Sequence, residues 1–129
     1  MVAIKRGDII LCDFNPVIGT EQSGIRPAVI IQIDRANVAS PHTIVAPLTS
    51  RIRKSLLPSH VFVPIGAANL TQDSVILCEQ IRVIDKSRII RVSGHLDKEY
   101  IIQLDVALCT ILGLSDDGFA QIIPGEESQ

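Results

Sequence analysis

The hydrophobic rhythm of this chain changes only once, and that change limits what it can fold into. From Ile9 to Val92 the apolar residues come in short runs separated by polar or proline-containing turns. Only Ile101, Leu104, Leu108, Ile111 and Leu112 recur at the three- and four-residue spacing of one helical face. The runs read as strands over residues 9–14, 28–33, 43–48, 60–64, 74–81 and 89–92. Residues 28–33 are almost continuously apolar and β-branched, as in a strand buried on both faces, while Pro47 marks its strand for an edge or a bulge. Residues 34–42 and 82–86 read as turns and 66–73 as a connector. Asp97 stands where an N-cap belongs and Gly113 where the chain must leave the helix. Short strands, long loops and one C-terminal helix describe a mainly β, α+β domain: a small, strongly bent sheet or partial barrel.

At 129 residues one domain is expected, over residues 1–114, with 115–129 as an acidic tail that little anchors. Hydrophobic residues make up 47% of the chain but aromatics only 3%, so the core is built from Ile, Val and Leu. That scarcity argues against a module that stacks bases on a row of aromatic rings. Cys12, Cys78 and Cys109 are widely spaced in apolar runs without a CxxC pair, and read as buried thiols of a cytosolic protein. Met1 to Ile4 is too short an apolar block for a signal peptide, and no run reaches membrane-spanning length, so a soluble, cytoplasmic protein is expected, with no membrane partner. Net charge is −2, yet the tail holds Asp116, Asp117, Glu126 and Glu127; without them 12 basic residues face 10 acidic ones. The bases cluster as Arg51, Arg53 and Lys54, and as Arg82, Lys86, Arg88 and Arg91, which suits a polyanion as well as it suits two solvated loops.

No phosphate-binding Gly-x-x-x-x-Gly-Lys loop, Gly-x-Ser-x-Gly nucleophile or His pair at metal spacing is present, so neither a cofactor nor a metal is expected. His42, His60 and His95 are scattered and read as structural. The segment Gly19 to Ala28 sets Glu21 and Arg26 in a glycine-bracketed loop, with Pro27 pushing Arg26 into an extended conformation. Read as a loop alone, it is an ordinary polar hairpin connection. With Glu79 as a second carboxylate and Thr49 and Ser50 as hydroxyl donors, it supplies parts for phosphoryl transfer. RNA is cleaved without a metal when a base takes the ribose 2′-hydroxyl proton, a cation stabilises the phosphorane and an acid protonates the leaving oxygen. Arginine fits the phosphorane because its fork matches two oxygens at once.

Arg6-Gly7-Asp8-Ile9-Ile10, Phe14-Asn15-Pro16, Gly19-Thr20-Glu21-Gln22, Arg26-Pro27-Ala28-Val29-Ile30, Pro47-Leu48-Thr49-Ser50 and the stretch Leu77 to Arg88 closely resemble, in order, the MazF/PemK family of toxin endoribonucleases. The resemblance implies an SH3-like small barrel of the CcdB/MazF/PemK type with a C-terminal α-helix. It implies a homodimer and metal-independent cleavage of single-stranded mRNA at short motifs, leaving a 2′,3′-cyclic phosphate and a 5′-hydroxyl. It also implies a cognate antitoxin whose disordered acidic segment covers the RNA groove. By carry-over Arg26 is the main catalytic cation, Thr49 its phosphate-contacting companion and Glu21 the preferred base, with Glu79 the alternative carboxylate. Ser50 is a phosphate contact or a turn-forming hydroxyl, and Gln22 a loop stabiliser or a base contact. Arg51, Arg53 and Lys54 fall to RNA backbone contacts. Two rivals share the barrel: a gyrase-poison toxin that cleaves nothing, and a non-catalytic RNA- or protein-binding domain.

Overall fold

The computed structural model describes residues 3–15, 24–52 and 55–114. Seven strands are present among them: β1 (Asp8–Asp13), β2 (Ile25–Ile30), β3 (His42–Thr49), β4 (His60–Val63), β5 (Ser74–Leu77), β6 (Arg82–Asp85) and β7 (Ile89–His95). All pair antiparallel in the order β4-β5-β3-β2-β1-β7, with β6 on β3. A short helix, α1 (Asp34–Ala39), joins β2 to β3, and α2 (Lys98–Leu112) closes the described chain. Among the described residues β4 and β7 are not paired with each other, so the sheet bends without closing into a barrel.

The alternation of side chains along each strand feeds two cores. Ile9, Val29, Ala46 and Leu48 face α2, where they meet Leu104, Ala107 and Leu108. Their neighbours Ile10, Ala28, Ile30 and Val45 turn to the other face and pack with Phe14, Ile84 and Ile89. That double coverage is why β2 reads as an unbroken apolar run. It is also why its central residues, Ala28, Val29 and Ile30, are fully buried.

β3 is the hinge of the architecture. Its first half pairs with β6 as far as Val45–Arg82, and its end pairs with β5 from Leu48–Ile76 onwards. Pro47 falls in the gap between the two partners, while its other side faces Ala28 of β2. Proline has no N–H to donate, so the hand-over costs no hydrogen bond there. Pro47 thus lies inside a buried strand and marks a change of partner, where the sequence suggested an edge or a bulge.

A second irregularity shapes the far side. Ile9 pairs with Gly94 but Ile10 with Val92, leaving Ser93 as an extra, bulged residue. A methyl group on Gly94 would lie 2.0 Å from the Ala68 carbonyl oxygen, so only glycine lets the turn at Ala67–Asn69 press on β7. Ala68 and Asn69 take φ of 52° and 61°, rare for residues with a Cβ, and the Asn69 amide donates to the Ser93 carbonyl at 3.1 Å.

α2 begins and ends where its sequence places it. Asp97 occupies the N-cap position, though its side chain makes no capping hydrogen bond. Gly113 takes the left-handed conformation at φ 70°, and the Leu114 N–H closes on the Cys109 carbonyl. Among the described residues no helix is long and apolar enough to cross a membrane.

Candidate active site

Arg26 lies on a strand and not, as its sequence suggests, in a loop. β2 starts at Ile25, directly after Gly24 at φ 79°, and Arg26 pairs with Cys12 of β1. The described residues on either side of 16–23 are bonded to one another. Phe14 N–H donates to the Gly24 carbonyl at 3.0 Å, and Gly24 N–H donates to Asn15 Oδ1 at 3.1 Å. From the other side Arg88 Nη1 donates to the carbonyls of Asp13, at 3.1 Å, and Asn15. The segment itself, with the predicted Glu21 and Gln22, lies outside the described residues, as do Arg53 and Lys54.

The pairing of β2 with β3 ends at Ala28–Pro47. Two further residues in the same register would set Arg26 opposite Thr49, the two side chains the sequence singles out. At that point, however, β3 has already turned to β5, with Thr49 opposite Val75. Alternation then sends neighbouring side chains into two different clefts. Arg26 and Ser50 line a cleft of about 430 Å³ whose far wall is Leu70, Thr71, Gln72 and Ser74. Thr49 and Arg51 line a second, of about 390 Å³, together with Leu57, His60 and Glu79. Of the predicted set, Arg26, Thr49, Ser50, Arg51 and Glu79 lie around the end of β3, divided between the two clefts.

The Thr49 cleft is internally bonded. Thr49 is buried, and its Oγ1 accepts the Arg51 N–H at 3.1 Å, turning the chain out of β3. Glu79 stands in a single helical turn after β5, where Ser59 Oγ donates to Oε1 at 3.0 Å and His60 Nε2 meets Oε2 at 3.0 Å. Leu57 N–H donates to His60 Nδ1 at 3.1 Å. A ring nitrogen that accepts carries no proton, so the bond to Glu79 must be donated by Nε2–H and the imidazole is the neutral Nε2 tautomer. The sequence suggests a structural histidine here, and its bonds fit that: it ties the loop after Thr49 to the Glu79 carboxylate. His60 pairs with Leu77, the last residue of β5, and the single helical turn that follows brings Glu79 back to it. Only the hairpin register reveals that, and nothing in the residue types alone would have found it.

Cys12, beside Arg26, is no nucleophile. Burial pushes its thiol up to about 11, and the nearby Arg82 and Arg88 offset only part of that. Burial, aided by the Glu79 charge, pushes Cys78 to about 12. Among the described residues no three His, Cys, Asp or Glu side chains gather as a metal site.

The family model for the PemK-like, MazF-like toxin of type II toxin-antitoxin system matches residues 5–112. The chain is 46% identical over 113 residues to Endoribonuclease EndoA of Bacillus subtilis (strain 168), covering 88% of this chain and 97% of that protein. Among solved structures, MazF of Deinococcus radiodurans superposes with a TM-score of 0.76 at 24% identity, over 88% of this chain and 99% of that one. An endoribonuclease in complex with its cognate antitoxin from a mycobacterial species superposes at 0.73 and 19% identity, over 88% and 98%. These two likenesses are of fold.

Proposed function

We propose that this chain, which belongs to the PemK-like, MazF-like toxins of type II toxin-antitoxin systems, is an endoribonuclease that cleaves single-stranded RNA and is held in check by a cognate antitoxin. The 46% identity to an endoribonuclease over nearly its whole length carries the reading. The convergence of Arg26, Thr49, Ser50 and Glu79 on one strand end supports it.

In this reading the scissile phosphate sits over the end of β3, within reach of both clefts. A carboxylate takes the 2′-hydroxyl proton, and the 2′-oxygen attacks phosphorus. The P–O5′ bond breaks, and the departing 5′-oxygen is protonated. The products are a 2′,3′-cyclic phosphate and a 5′-hydroxyl. Arg26 balances the charge that grows on the non-bridging oxygens, and Thr49 donates to one of them. Glu21 is the base; Glu79, already accepting from Ser59 and His60, holds the loop after Thr49 in place. Arg51, Arg53 and Lys54 follow the RNA backbone, and Gln22 steadies the segment carrying Glu21. The active form is a homodimer in the cytoplasm, where its RNA and the acidic segment of its antitoxin are met.

Purified protein is expected to cut single-stranded RNA in excess chelator. Arg26→Ala lowers the rate by about 10²–10³-fold, as loss of one transition-state charge contact does, while antitoxin binding persists. Primer extension maps the cuts, and periodate resistance with 5′-hydroxyl labelling identifies the ends. Strict dependence on a divalent metal would overturn the mechanism. Equal growth arrest by wild type and Arg26→Ala would move the target to a protein such as gyrase.

A further inference from the structure

The far wall of the Arg26 cleft is the β4–β5 connection, residues 64–73, and it is unusually well fixed for a loop. Gly66 N–H donates to the Leu70 carbonyl at 2.9 Å and Leu70 N–H to that of Ala67 at 3.0 Å. Asp73 Oδ1 accepts the Ile65 N–H at 2.8 Å, and the buried Ser74 hydroxyl donates to the Gln72 carbonyl at 3.0 Å. Behind it, the strained pair Ala68 and Asn69 is seated in the space left by Gly94. Backbone strain of this kind persists only where the surroundings over-determine it, and it gathers at functional sites. The strained turn delivers Leu70, Thr71 and Gln72 to the cleft at a set height.

Among the described residues the polar side chains presented there make no hydrogen bond. Thr71 and Gln72 are exposed, and among the described residues no hydrogen bond engages the Gln72 amide. Across the cleft Ile25, 59% exposed, offers an aliphatic surface beside Arg26. A cleft of about 430 Å³ has the size of a small-molecule site. Its fittings are a guanidinium, an apolar face and an amide holding adjacent donor and acceptor. Those are the requirements for one nucleotide: phosphate, base plane and base edge.

The geometry points to Gln72 as a specificity-determining residue whose side-chain amide reads the edge of the base flanking the scissile phosphate, on a rigid wall facing Arg26. This rests on the endoribonuclease reading and adds to it the residue that chooses where the cut falls. The amide matches a base edge that sets a donor next to an acceptor. Replacing its NH₂ with a second acceptor, as in Gln72→Glu, mismatches that edge. Because the Ser74 bond is to the Gln72 carbonyl, both Gln72→Ala and Gln72→Glu leave the wall standing.

The test digests an RNA pool, randomised at every position, with wild type, Gln72→Ala and Gln72→Glu, and sequences the new 5′ ends. Thermal melting confirms that all three are folded. The expected result is that both variants lose preference at one position next to the cut by on the order of tenfold, the discrimination carried by a paired amide contact, and keep the rest of the motif. Selective cutting by wild type with every preference retained in both variants, or a uniform loss of rate at all positions, overturns the role of Gln72 alone. A wild type that cuts no sequence overturns the endoribonuclease reading and this assignment with it.

Discussion

The two clefts at the end of β3 are lined by adjacent residues yet finished in opposite ways. In the Thr49 cleft the polar groups are bonded to one another: Arg51 N–H to Thr49, Ser59 and His60 to Glu79, Leu57 N–H to His60. In the Arg26 cleft the wall is held by backbone bonds and by Asp73 and Ser74, and among the described residues no hydrogen bond engages the side chains of Thr71 and Gln72. On the proposed reading the difference separates two tasks, with Arg26 serving the scissile phosphate from the edge of the second cleft. A site that must hold a reacting group still gains when its polar groups are already paired, because no reorganisation is needed at the moment of reaction. A site that must choose among bases needs groups whose bonds are completed only by the right partner.

The sharpest way to break this division is to remove the hydroxyls on either side of it. Thr49→Val is expected to lower cleavage by about 10²–10³-fold with substrate affinity little changed, as loss of a donor to the developing charge does. Ser50→Ala is expected to cost about tenfold or less, the size of one ordinary hydrogen bond. Single-turnover rates on a defined RNA decide it; equal losses would merge the two clefts into one.

Next in size is Gly94→Ala, which forces the Ala68 carbonyl away from β7. Overpacking of this sort costs about 1–3 kcal/mol, to be read as a lower urea midpoint. Its effect on cleavage should fall on base preference, since the displaced turn carries Thr71 and Gln72. A loss of turnover with preference intact would mean the wall serves the chemistry instead.

His60→Ala tests the other cleft at smaller scale. The Leu57 N–H loses its acceptor and Glu79 one donor, each worth about 1 kcal/mol. The loop after Thr49 should then loosen, raising KM more than it lowers kcat. A pure kcat effect would promote His60 from positioning to proton transfer.

The smallest effect is chemical. Burial pushes the Cys12 and Cys78 thiols up to about 11 and about 12, which favours the neutral thiol at pH 8, so both should resist iodoacetamide. Labelling should begin at the half-buried Cys109. Labelling that begins at Cys12 would mean the floor of the Arg26 region opens.

α2 is legible in the sequence because its apolar period is long and both ends are marked. β1 is legible because Asn15-Pro16 closes it. α1 escapes because six residues, Asp34–Ala39, are too few for a period to show and the Ser40-Pro41 pair after them reads as a turn. β6 reads as a turn because Arg82 and Asp85 flank only two apolar residues, of which Ile84 is buried and Val83 is 60% exposed. Of the residues the sequence singles out, Arg26, Thr49, Ser50, Arg51 and Glu79 lie around the end of β3, while Glu21, Gln22, Arg53 and Lys54 lie outside the described residues. The division of the former between two clefts, the part played by His60 and the wall at Gln72 stay hidden. These depend on cross-strand register, and register is set by pairings that lie far apart in the chain.

Pro47 carries a last implication. Because β3 changes partners around it, the residues from Leu48 to Arg51 are sorted between clefts by parity alone: even positions to Arg26, odd positions to Glu79. The strand end works like a reading frame of two. Inserting one residue after Pro47 would keep every side chain in the sequence, yet exchange the addresses of the two hydroxyls and deliver each to the other's cleft.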